Sequence, residues 1–127
     1  MEGFDHERLD VYSVSIEFVG LADALVERLP RGWAYLADQL HRASMSVPLN
    51  IAEGAGEYSK KDKARFYRMA LRSATECAAI LDVCRKFKLA DTGRLDAGRA
   101  LLLRIVSMLT RLIRPLGESG TGTGTGT

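Results

Sequence analysis

Apolar residues recur at intervals of three and four in four successive blocks of this chain, and that spacing admits one kind of secondary structure. An α-helix turns once every 3.6 residues, so residues spaced this way form a stripe along one side. The first block is Val11, Val14, Phe18, Leu21, Ala22, Leu25 and Leu29. It predicts a helix over 9–29, ended by Pro30-Arg31-Gly32. The second block, Trp33, Leu36, Leu40, Ala43, Val47 and Ile51, predicts a helix over 33–55. A break as short as the one between them returns the second helix antiparallel to the first.

Pro48 falls inside the second stripe. It removes one amide donor and crowds the carbonyl of Ser44, so a kink is expected, with Ser44, Ser46 or Asn50 serving the loosened backbone. Gly54 and Gly56 are the expected stop. Glu53 stands in the last turn, where its carboxylate opposes the helix dipole, and an arginine partner is expected for it across a helix or subunit boundary. Pro48, Asn50, Glu53 and Gly54 are therefore read as a structural motif.

A third helix is expected to open at Ser59-Lys60-Lys61-Asp62, where the serine hydroxyl can accept from the amide three residues on. Its stripe reads Phe66, Ala70, Ser73, Cys77, Ile80, Cys84 and Phe87, a four-three alternation like that of helical bundles. The fourth helix starts at Asp91 or Thr92 and runs to about Pro115. It carries two adjacent stripes, Leu101-Ile105-Met108-Leu112 and Leu102-Val106-Leu109-Ile113. That apolar arc is wider than one face of a bundle requires, so contact with another subunit is expected.

Alternating, β-branched stretches are few, and a chain that is 46% hydrophobic and 27% charged can build a core. With 127 residues there is room for one domain. The expected fold class is all-α, an antiparallel up-down-up-down four-helix bundle. Residues 1–8 form a leader, 9–116 the bundle, and 117–127 a disordered Gly/Thr tail. There is no basic-then-apolar leader and no run of about 18 apolar residues, so a cytoplasmic protein with no membrane partner is expected. Cys77 and Cys84, seven apart on one helix, sit ~10 Å from each other, too far for a disulfide. Buried thiols in a reducing cytosol are the expected state.

Catalytic constellations are missing from the sequence. A di-iron bundle site needs two Glu-x-x-His motifs and two further glutamates. This chain offers Asp38-x-x-His41, and its other histidine is His6. Neither cysteine has a histidine beside it on the stripe, and no glycine loop precedes a basic residue as a phosphate cradle would. No metal, no cofactor and no enzymatic activity are expected.

Charge is where a function becomes legible. Residues 1–29 carry two basic against seven acidic residues, whereas the remainder carries sixteen against nine. Within that basic remainder, Lys61, Arg65, Arg68 and Arg72 repeat at four, three and four, so they share one helical face, with Lys60 and Lys63 flanking. Like charges at such spacings repel by a few tenths of a kcal/mol per pair. Arg104, Arg111 and Arg114 form a second set on the fourth helix, expected to line the same groove if the last two helices are neighbours. Tyr58 and Tyr67 lie nearby, and aromatic rings stack on bases. Two readings compete: a face that holds the phosphates of RNA or DNA, or a solvated face paired with acidic groups of its own chain, another subunit or a protein partner.

Arg42-Ala-Ser-Met-Ser-Val-Pro-Leu-Asn-Ile-Ala-Glu-Gly54, followed by Ser59-x-x-Asp62, Phe66, Ala70, Ser73 and Glu76, resembles the small four-helix-bundle proteins encoded within intervening sequences of bacterial 23S rRNA genes. Leu9-Asp-Val-Tyr12 is similar to that family's opening motif. The resemblance covers residues 4–90 and implies an antiparallel four-helix bundle, often a homopentameric ring. It also implies kinship with accessory proteins of diversity-generating retroelements, bundles that bind a reverse transcriptase and nucleic acid. It implies no activity for the family itself. Lys63 stands where the family has an aromatic residue, Arg72 where it has glycine, and Tyr12 where it has tryptophan. The first two changes add positive charge to the third helix.

Overall fold

The computed structural model describes residues 3–117. Their order is a 3-10 turn at Asp5–Arg8, α1 (Asp10–Arg28), a 3-10 turn at Arg31–Trp33, α2 (Ala34–Ala55), α3 (Lys60–Lys86), α4 (Thr92–Ile113) and a final 3-10 turn at Arg114–Leu116. No strand occurs among the described residues, and no helix there is long and apolar enough to cross a membrane. The Gly/Thr repeat lies outside the described residues.

The four stripes meet in one core. Phe18, Leu25, Leu40, Val47, Ile51, Ala70, Ala74, Cys77, Cys84, Ile105 and Leu109 are fully buried. Each large side chain in it contributes about 1.5–3 kcal/mol relative to exposure. Neighbouring pairs are α1 with α2 and α4, α2 with α3, and α3 with α4. Three contacts mark the register of α2 on α3: the Trp33 and Phe87 rings, flanking the two helices, at 5.3 Å, the Ser73 hydroxyl donating to Ser46 Oγ at 2.8 Å, and Lys63 reaching Gly54. Residue numbers rise along α2 as they fall along α3.

The helix starts follow their local chemistry. Ser59 Oγ accepts from the Asp62 amide at 3.1 Å, and Asp91 Oδ1 from the Arg94 amide at 2.8 Å. The Arg94 amide also holds the Asp91 carboxyl below its ordinary range. α2 runs unbroken through Pro48. Asn50 Nδ2 donates to the Ser46 carbonyl and to Ser46 Oγ, both at 2.9 Å, while the Ser44 hydroxyl donates to the His41 carbonyl. Asn50, Ser46 and Ser73 thus form a polar rung between α2 and α3.

Three expectations need correction. The buried seam of α3 keeps Ala70, Cys77, Ile80 and Cys84, but its other positions are Ala64, Tyr67, Ala74 and Leu81. Phe66 and Ser73 lie at the seam's edge, and Phe87 is mostly exposed. The cause is across the interface. Gly54 leaves room for the Tyr67 ring, and the Ser73–Ser46 bond holds residue 73 at the rim of the seam.

Gly54 is not the stop of α2; it is buried inside the last turn, where a Cβ would stand 2.7 Å from Tyr67 Cε1. The helix ends at Gly56 with φ −87°, a right-handed conformation open to any residue. The wide arc of α4 is also mostly covered by its own chain. α4 packs against both α1 and α3, and Val106, Met108, Leu112 and Ile113 lie against the core at its flanks. Of its two stripes and the residues between them, Leu103 is the large apolar side chain left well exposed, at 57%.

Candidate nucleic-acid interface

Lys61, Arg65, Arg68 and Arg72 lie exposed on α3, on the side away from the buried Ala70, Ala74 and Cys77, while Lys60, also exposed, is turned about 100° from Lys61 and lies off that row. Helical geometry spreads Lys61 to Arg72 over about 16 Å. Arg65 crosses the Phe66 ring at 4.5 Å and stands 3.9 Å from the Asp62 carboxylate. No carboxylate among the described residues comes within 4.0 Å of Lys60, Lys61, Arg68 or Arg72, so Glu76 does not neutralise the row.

Lys63 has another task. Its Nζ donates to the Gly54 and Ala55 carbonyls, each at 3.0 Å, and so caps the C-terminal end of α2. The positive charge placed there by sequence therefore does not extend the row. Lys63→Met keeps the stem and removes both bonds. The expected result is a loss of about 1.5 kcal/mol in urea unfolding, with faster amide exchange in the last turn of α2. An unchanged midpoint would overturn the capping role.

The second basic set divides. Arg114 and Thr110 share a cleft of about 260 Å3 with Arg68, Leu71 and Ile113, between α3 and the end of α4. Arg111 turns to the other side: it donates to Ser107 Oγ at 3.1 Å and lines a hollow with Leu9, Asp10, Val11, Met108 and Leu112 beside α1. Arg104, seven residues earlier and exposed, stands two turns away along α4. Arg104 and Arg111 therefore do not line the α3–α4 cleft, because α4 lies between α1 and α3 and presents its two flanks to different partners. Cross-helix register decides this, and residue spacing on one helix carries no trace of it.

Glu53 is exposed and has no basic group within 4.0 Å among the described residues, so the arginine expected for it is not supplied by this chain. It borders a hollow with Phe4, Asp5, His6, Ala52, Gly56 and Glu57, where the N-terminal turn lies against the end of α2. Phe4 stacks on His6, which packs on Tyr12 at 4.5 Å between ring centres. Tyr58 is fully exposed beside the start of α3, whereas Tyr67 is core. Cys77 and Cys84 are free and buried. No group of three or more His, Cys, Asp or Glu converges to hold a metal among the described residues.

A small all-α protein with a long cationic face on its third helix, on which Lys61, Arg68 and Arg72 have no carboxylate within 4.0 Å among the described residues, is the class that fold and site define together. The chain belongs to the 23S rRNA-intervening sequence protein family, whose model matches residues 7–111. No curated protein matches it at a significant level.

Proposed function

We propose that this protein is a non-enzymatic, self-assembling bundle, its helices alternating up-down-up-down, that holds the backbone of RNA or DNA along α3. One observation carries the reading: Lys61, Arg68 and Arg72 share an exposed face with no carboxylate in reach. Unpaired cations in a row repel one another, and phosphates relieve that repulsion while releasing condensed counterions. The contacts are to backbone, so sequence preference is weak.

Self-assembly is supported by the outer sides of α2 and α3, where Tyr35, Met45, Leu49, Met69 and Phe87 are exposed. Glu53 lies on the same outer side of α2 without a partner, and a second copy can supply its arginine. The acidic first helix and the basic remainder give copies of the chain complementary charge. A ring of five, in the reducing cytoplasm, fits the family resemblance.

Affinity for unstructured RNA and DNA, titrated from low to high salt with the mass followed by light scattering, tests the proposal. Four phosphate contacts on a single strand give a slope of about −3 in log affinity against log salt. Arg65→Glu, Arg68→Glu and Arg72→Glu combined are expected to abolish binding while the helices stay folded. Retained binding in that variant overturns the assignment of the face. No binding by the wild type at low salt overturns the nucleic-acid role and leaves an acidic protein partner for the same face.

A further inference from the structure

The α3 row does not run along a featureless surface. Arg68 belongs both to the row and to the cleft between α3 and the end of α4, and across that cleft stands Arg114. The floor is aliphatic, from Leu71 and Ile113, both packed against the core. Thr110 contributes a hydroxyl whose proton is already given to the Val106 carbonyl at 2.8 Å, which leaves its lone pairs free to accept. Neither Arg68 nor Arg114 has a carboxylate within 4.0 Å among the described residues. At about 260 Å3 the space is below the range of drug-sized clefts and suits one flat ring.

Resting on the nucleic-acid reading above, we propose that this cleft takes a single unstacked base of the strand held on α3, and so makes the protein select single strands over duplex. An aliphatic floor and planar guanidinium walls are the surfaces on which a flat, polarisable ring stacks. The Thr110 oxygen accepts from a ring or exocyclic N–H. The free charge of the two arginines meets the phosphates on either side of the inserted base, which is the charge complementarity an apolar cleft alone would lack. In a duplex the bases are paired and stacked inward, out of reach of a cleft between helices. Duplex therefore meets the row only.

The cleft forms at this end of the α3–α4 contact for a structural reason. At the other end the Arg85 guanidinium closes on Asp96 at 2.7 Å and ties the helices together. Near Arg68 the cleft is lined by aliphatic residues, Thr110 and Arg114, none of them acidic, and α4 gives way to the 3-10 turn Arg114–Leu116.

The test compares three short DNA ligands of equal length at one low salt concentration: an intact single strand, the same backbone with every base removed, and the duplex. The intact strand is expected to bind about tenfold more tightly than either of the others. Thr110→Phe, which fills the cleft, is expected to remove that preference while keeping the salt slope. Because this variant can misfold, methyl NMR of the wild type provides the second reading. Leu71 and Ile113 methyl signals are expected to move under the ring current of the intact strand and to stay in place with the base-free strand. Equal affinity for intact and base-free strands, or unmoved methyl signals, overturns the cleft and leaves the basic row standing. Failure of all three ligands to bind overturns the row and the cleft together.

Discussion

Gly54→Val is expected to lower the stability of the protein by about 3 kcal/mol, a fall of roughly 10–20 °C in Tm for a domain of this size. A Cβ at residue 54 would stand 2.7 and 2.8 Å from two atoms of the Tyr67 ring and 3.2 Å from the Lys63 carbonyl oxygen. Tyr67 is 3% exposed, so its ring can yield only by shifting against the core around it. The Lys63 carbonyl is backbone and moves only with α3 itself. Valine is the more severe test than alanine because its two methyls add to the clash. Glycine in a helix interior costs about 1 kcal/mol relative to alanine, so the chain keeps a poor helix former here for the sake of the approach. A double-mutant cycle with Tyr67→Leu isolates the cause. The pair is expected to lose clearly less than the two single losses added together, since leucine vacates the space valine fills. Additive losses would overturn this account.

A second large effect is expected at alkaline pH. Burial, with the Glu76 carboxylate as the lesser cause, pushes the Cys77 thiol up to about 12 from its ordinary 9.0. Below that ordinary value, folded and unfolded chains both carry the neutral thiol, and its contribution to stability is complete. Between the two values the unfolded chain ionises while the folded chain does not. Stability then falls by about 1.4 kcal/mol per pH unit, until the folded thiol also titrates. Cys84 and Tyr67 are raised by burial as well and act in the same direction. Urea midpoints at about pH 8 and about pH 10 measure the effect. The wild type is expected to lose about 1.4 kcal/mol more than Cys77→Ala over that interval. Parallel losses in the two proteins would show that Cys77 does not titrate as its burial requires.

Both predictions rest on α3, and α3 is also where sequence and structure part most clearly. Ala70, Cys77 and Cys84 are legible as core from spacing alone, because every second position of a heptad seam is common to either choice of the other. The choice of Tyr67, Ala74 and Leu81 over Phe66, Ser73 and Phe87 is not. Both sets keep the same period, and the decision lies with Gly54 and Ser46 on the neighbouring helix. The basic row was legible for the same reason as the seam: Lys61, Arg65, Arg68 and Arg72 need only helical geometry to share a face. Arg111, in the last turn of α4, and Arg114, three residues on in the 3-10 turn that follows, go to different clefts.

Local signals determined the helix count, the start at Ser59 and one at Asp91 or Thr92, the stripes of α1 and α2, and an exposed cationic face, since each depends on residues within a few turns of one another. Tertiary structure alone decided that Gly54 admits a ring, that Lys63 caps a neighbouring helix, that the arc of α4 is covered from both sides, and that Arg68 and Arg114 share a cleft. Each of these is a contact between residues on different helices. Its existence depends on register and interhelical distance, and those are set by the packing of the whole core rather than by any stretch of sequence.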